Sequence, residues 1–271
     1  MRSYLAAAGA VATLTLTGGA LANPRALPFT YPYETLAKGE AEVEQYADMT
    51  IVKETNSATG ATPSTALYLL QTEFEYGLLD HLELGLYVQV APSVSQSFLD
   101  PATLDVGNAI KQRLRYRFAE AGEWPIDVSV YGEIVESEKL FEIEAKINLQ
   151  RRFGNLRLMA NLSGEHEFYY NGANDWEINP TLGATYQVLP WLHTGIESWL
   201  FAEFPAVRPA PSPLNFNLGP HVYVGPAVMF NWGKLWWSSG AYLRVTDVER
   251  PNNPGDLYGR LWVRTVVGLS L

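Results

Sequence analysis

The sequence predicts an all-β fold, a single closed antiparallel transmembrane β-barrel of about 12 strands. The first observation is the stretch 73–90, EFEYGLLDHLELGLYVQV. Leu82, Leu84, Leu86, Val88 and Val90 alternate there with Glu83, Gly85, Tyr87 and Gln89, the period of two that sends every aliphatic side chain to one face of a strand. The run before it does the same, with Tyr68, Leu70, Thr72, Phe74 and Tyr76 set against Gln71, Glu73, Glu75 and Gly77. A turn as short as Leu79 and Asp80 makes the two runs antiparallel neighbours. The second observation is that tight connections at 79–80, 153–155, 189–191 and 231–235 alternate with long polar ones at 93–108, 203–215 and 247–259, as turns and loops do at opposite ends of a barrel. The third is an apolar face on which no charge is expected, because Lys or Arg there costs about 2–4 kcal/mol at the bilayer midplane.

Taken in order, residues 1–22 read as a secretory leader: Arg2, an uncharged apolar run from Tyr4 to Leu16, then Gly18, Gly19 and the A-x-A tripeptide 20–22. That run is shorter than the roughly 20 residues a spanning helix needs. Residues 23–39 carry Pro24, Pro28, Pro32, Phe29, Tyr31 and Tyr33 with no period, and are expected to lie as a periplasmic segment against the barrel rim. Residues 40–271 form the barrel. Its strands are expected at 40–52, 64–78, 81–92, 109–119, 126–135, 140–152, 156–169, 176–188, 192–202, 216–230, 236–246 and 260–271. An even count returns both termini to the periplasmic side. Ile110, Gln112, Leu114, Tyr116 and Phe118 illustrate the lipid face, as do Phe141, Ile143, Ala145, Ile147 and Leu149. Aromatic girdles are expected near the turns (Trp124, Phe153, Trp191, Trp232, Trp237) and at the opposite ends (Tyr169, Tyr170, Trp176, Phe216, Tyr258). A soluble β-sandwich also alternates, but its strands run to five or six residues and its loops need not alternate in length.

Composition agrees. Eight Trp and 13% aromatic residues suit a membrane boundary, the absence of Cys excludes disulfides and thiolate metal sites, and a net charge of −10 argues against nucleic acid as a partner. No cofactor is expected. The expected partners are outer-membrane lipids and small solutes.

The run Tyr76-Gly77-Leu78-Leu79-Asp80-His81-Leu82-Glu83-Leu84-Gly85 resembles the Y-G-L-T-D-x-L-E-L-G hairpin of Gram-negative outer-membrane barrels of porin-like transporter type, including the family named for the meta-pathway of phenol degradation. The resemblance implies a location in the outer membrane and a transport role.

With the aliphatic face outside, the lumen is charged. Lys111, Arg113, Arg115 and Arg117 form an unbroken inward basic row, beside Asp127 and Glu133 on the next strand and Glu142, Glu144 and Lys146 on the one after. Glu40, Glu42, Glu44, Asp48, Glu73 and Glu75 come from the first two strands, and closure sets them near Arg260 and Arg264. Two readings stand: structural ion pairs that fill a narrow barrel, or a conduction path in which the basic row attracts anions. Of the four histidines, only His166 faces outward, with Gly164 and Phe168 beside it on the same face. A lipid hydrolase would need a Ser nucleophile next to such a base, and nothing places Ser198 or Ser239 there. The function expected is a passive channel or transporter for small solutes. A structural or adhesive barrel with a plugged lumen is the alternative, and a lipid hydrolase the third class.

Overall fold

In the computed structural model, residues 23–53, 64–90, 108–207, 220–246 and 259–271 are described. The expected leader lies outside them, as do Phe216 and Tyr258 of the expected girdle. The strands are β1 (Ala41–Lys53), β2 (Ser64–Leu79), β3 (Leu82–Val90), β4 (Ala109–Arg117), β5 (Asp127–Ser137), β6 (Leu140–Phe153), β7 (Leu156–Tyr169), β8 (Asn174–Ile178), β9 (Thr181–Leu189), β10 (Leu192–Val207), β11 (His221–Asn231), β12 (Leu235–Arg244) and β13 (Leu261–Ser270). Each pairs antiparallel with its neighbours, and β1 closes the ring on β13 from Glu42↔Ser270 to Thr50↔Trp262. Thirteen segments make twelve staves. The stave expected at 176–188 is broken at Asn179 and Pro180 into β8 and β9, both of which lie between β7 and β10. Proline has no N–H to give a ladder, and here its carbonyl still accepts from Leu200 at 3.0 Å while Asn179 donates to Ser163 at 3.3 Å.

The tight turns follow local chemistry. Between β6 and β7 only Gly154 and Asn155 intervene, and Gly154 takes φ +59°, a left-handed conformation that a side chain disfavours. No helix of the described residues is long and apolar enough to cross a membrane. The crossing is made by strands whose outward positions are apolar and exposed: Leu86, Ile110, Leu114, Ile143, Ile147 and Leu182 among them. A closed ring satisfies every ladder group internally, which lipid requires. The expectation of a face wholly free of charge needs one correction. Glu136 lies abreast of Ile110 and Phe141, and Arg151 abreast of Leu158, so both share the outward face. They sit at opposite strand ends, where the cost of a charge falls to about 0–1 kcal/mol. The girdles form at both ends. Phe118 stacks on Trp124, and Phe230 on Trp191, Trp232 and Trp237, at the turn end; Trp176 and Tyr170 are exposed at the other.

The segment 23–39 does not lie against the rim. It enters the lumen from the turn end, reaches about halfway along the strands and returns to Gly39, so Leu27 and Thr30 are fully buried and Tyr33 nearly so. Three prolines explain how it does this without joining the sheet: each removes an N–H that would need a partner. The remaining donors find the wall. Phe29 and Thr30 give their N–H groups to Glu197, at 3.1 and 2.5 Å, and Tyr31 gives its own to Asn161 at 2.7 Å. On the way back Leu36 donates to Glu83 at 2.7 Å. The wall in turn is cut back to admit it: a Cβ on Gly183 would overlap Leu27 Cδ1, and one on Gly195 would lie 3.2 Å from Leu27 Cδ2. Burying Leu27 is worth about 1.5–3 kcal/mol.

Candidate functional site: the occupied lumen

Arg25 is the first anchor. Its Nη2 lies 3.1 Å from Glu44, 3.2 Å from Glu73 and 3.7 Å from Glu75, and its guanidinium stands 3.6 Å over the Tyr31 ring and 5.1 Å from that of Tyr46. The alternation of β1 and β2 puts all three carboxylates inward on adjacent strands, and one oxygen of each falls within 4.8 Å of the others. Burial acts to lower the Arg25 pKa, but Glu44 and its neighbours outweigh it and hold the group well above its ordinary value. Phe29 is the second anchor. It packs against Trp199 at 4.8 Å and Tyr242 at 5.2 Å, with Trp262 at 6.5 Å and the Arg264 guanidinium 3.8 Å over its ring. Tyr31 is central, its hydroxyl 3.3 Å from that of Tyr87 and its ring facing Arg25, Lys146, Arg113 and Arg115. Burial pushes Tyr33, on the returning arm, up to about 12.

The basic row is neutralised throughout. Lys111 pairs with Glu133 at 3.4 Å; Arg113 with Glu73 at 2.5 Å, Glu83 at 2.9 Å and Glu75; Arg115 with Glu83 at 2.7 Å; and Arg117 with Glu120 at 2.5 Å in the turn. The hydrogen bond from Arg117 holds the Glu120 carboxyl below its ordinary range. Gly85 abreast of Arg113 leaves room for this, since a Cβ there would sit 2.5 Å from Arg113 Nε. Of the four acids the sequence sets beside the row on the next two strands, Glu133 meets it, and the other three do not among the described residues. Asp127 instead accepts the N–H of Gly122 at 2.7 Å, Glu144 takes Lys146 at 2.7 Å, and no ion pair reaches Glu142 among the described residues. Arg264 grips Asp48 with two nitrogens at 2.7 and 2.9 Å. An anion-attracting row is therefore not what this lumen presents.

What it presents is acid. One cross-strand row reads Glu42, Glu75, Gly85, Arg113, Glu133, Glu144, Glu165, Glu177 and Glu203 on nine successive staves, climbing from the turn end of β1 to the loop-side half of β10. A vestibule of about 1110 Å³ opens at the turn end between the inserted segment and the wall. It is lined by Glu34, Arg152, Arg157, Trp191, His193 and Trp232, with both arginines 4.0 Å from Glu34. His166, the outward histidine, is stacked between Phe168 and Trp176 at 4.1 and 4.0 Å, a girdle contact rather than a base beside a nucleophile.

Sequence reasoning missed Arg25, Phe29, Tyr31 and Glu197. A signal was present: Glu42, Glu44, Glu73 and Glu75 are inward acids on adjacent strands, and Arg25 is the only cation between Arg2 and Lys38.

A closed ring of twelve antiparallel staves, apolar outside and charged within, defines an outer-membrane β-barrel, located in the cell outer membrane. Solved structures share that architecture. An outer-membrane channel from Pseudomonas putida F1 matches with a TM-score of 0.53 at 12% identity, over 88% of this chain and 98% of that one. The NanC porin matches with a TM-score of 0.55 at 9% identity, over 85% and 100%, and the KdgM porin with 0.50 at 10%, over 84% and 99%. No family model matches the chain, and no curated protein resembles it significantly.

Proposed function

We propose that the protein is a passive channel or transporter for small solutes, closed in this structure by its own N-terminal segment. The observation that carries the reading is that residues 23–36 occupy the lumen as a separate strand of chain, held by side chains and excluded from the ladder. A barrel blocked by wall residues is shut for good, whereas an inserted segment with a vestibule at its entrance can withdraw without breaking one stave. The barrels it resembles in fold include a named channel and two named porins, and the Tyr76–Gly85 hairpin resembles that of the phenol meta-pathway transporters. The test is conductance in planar bilayers. Protein lacking residues 23–36 should conduct at least several-fold more than the chain with the segment in place; equal, negligible conductance in both would refute the channel.

A second reading has its own observation. Arg25, Phe29 and Glu197 fix the segment at three separate places, as a permanent structural plug would require. In that case the protein is a structural or adhesive barrel whose activity lies in its loops, and the shortened protein would lose stability without gaining conductance.

A further inference from the structure

Resting on the channel reading, we propose that the cage formed by Glu44, Glu73, Glu75 and Tyr46 is the solute-binding station of the lumen, that it takes a small organic cation, and that Arg25 is its tethered occupant. The wall meets several of its acids with its own side chains: Glu73, Glu75 and Glu83 with Arg113, Glu83 also with Arg115, Asp48 with Arg264, and Glu144 with Lys146. Of the three cage carboxylates, Glu44 is the one that none of these side chains meets. Among the described residues its one ion pair is with Arg25, which belongs to no strand. Three carboxylates with oxygens inside 4.8 Å repel strongly once buried, and Arg113, shared with Glu83, meets only Glu73 and Glu75, so Glu44 is left without a cation when the segment leaves. The Tyr46 ring at 5.1 Å adds an aromatic face, which suits a guanidinium or alkylammonium group.

The second half of the site sits where Phe29 sits. Trp199, Tyr242 and Trp262 form a ring box, and Trp199, 7% exposed, has an indole N–H without an acceptor among the described residues. A solute with a cationic group at one end and a flat apolar group at the other would satisfy both anchors as Arg25 and Phe29 do together. The approach from the loop side favours the same charge: Glu165, Glu177 and Glu203 lie abreast on three staves, a field that concentrates cations. A short tethered group acts at an effective concentration of about millimolar, so a free cation must compete at that level to displace it.

The experiment uses 2-phenylethylguanidinium as the probe and sodium phenylacetate as the anionic control, on the full mature chain and on Arg25→Ala. Vacating the cage should make Arg25→Ala prefer K⁺ over Cl⁻ in a salt gradient. It should also bind the probe at least tenfold more tightly than wild type, by tryptophan fluorescence and by current block. Glu44→Gln added to Arg25→Ala should abolish that gain. If Arg25→Ala conducts but phenylacetate binds as well as the probe, or Ca²⁺ alone saturates the site, the organic-cation assignment is overturned while the channel stands. If neither it nor the protein lacking residues 23–36 conducts, the channel reading falls instead. Should Arg25→Ala fail to assemble, a spin label at Pro24→Cys in the otherwise native chain reads displacement directly. The probe should release the segment at concentrations where phenylacetate does not, and equal or absent release overturns the proposal.

Discussion

The backbone nitrogen of Asn23 lies 3.3 Å from Oε2 of Glu42, a fully buried carboxylate that also accepts from Trp236 Nε1 at 2.5 Å and Ser270 Oγ at 3.0 Å. No ion pair reaches Glu42 among the described residues. With the leader removed after Ala22, as the A-x-A tripeptide predicts, that nitrogen becomes an α-ammonium and the contact a buried ion pair. Protein that begins at Asn23 should then be more stable than protein retaining Ala22, by about 3 kcal/mol if the pair is broken cleanly. Glu42→Gln should erase the difference. Thermal melts of the four proteins form a double-mutant cycle, and additivity would rule the pair out.

The contact between Gly183 and Leu27 predicts a segment that can be expelled by one methyl group. Gly183→Ala places its Cβ into Leu27 Cδ1, and Leu27→Ala in the same chain relieves the overlap. Trypsin cleavage after Arg25, buried in the native protein, reads the outcome. Gly183→Ala alone should be cut at least tenfold faster than wild type, and the double variant more slowly than Gly183→Ala. Leu27→Ala by itself loosens docking by about 2–5 kcal/mol.

Leu86 is 43% exposed on the outward face midway along β3, so Leu86→Arg puts a guanidinium into hydrocarbon. Urea unfolding in vesicles should register a loss of about 2–4 kcal/mol, against about 0–1 kcal/mol for Phe153→Arg at the turn end. Tyr87, its inward neighbour, is no neutral control: it is 2% exposed and stands 5.7 Å from the Arg113 guanidinium.

Arg113→Gln removes one cation from three carboxylates, Glu73, Glu75 and Glu83. A loss of about 3–5 kcal/mol is expected, because the acids left behind are buried. Lys111→Gln, whose partial exposure lets water screen Glu133, should cost less in the same assay; equal costs would mean that Arg113 is not central to the network.

The barrel was legible because lipid imposes a strict rule on one face, and Leu82 to Val90 obey it residue by residue. Inward positions obey a weaker rule. Any charge suits a lumen provided a partner stands opposite, and partners are set by stagger between strands, which alternation does not reveal. Arg113 therefore pairs with Glu73 and Glu83 on β2 and β3 rather than with the acids of β5 and β6. Asp127 was drawn instead into the adjoining turn, where its carboxylate accepts the N–H of Gly122, a local bond that alternation does not reveal either. The segment 23–39 has no period to read, since its order comes from Glu197, Asn161 and Glu83, carried by strands far along the chain.

The climbing row of carboxylates bears on how such a barrel proofreads its own assembly. Side chains alternate faces with a period of two, so a strand that slips by one residue turns its row member outward. A slip of β6, β7 or β8 would push Glu144, Glu165 or Glu177 into the hydrocarbon and, on β6, draw Ile143 or Ala145 into the lumen. Each stave of that wall thus carries its own penalty for misregistry, independent of the turns that join them. Glu165→Leu would lower that penalty for a shifted β7 while Arg157 and Glu167 on the same face keep the rest, and the defect would appear during folding, as a second, slowly maturing species.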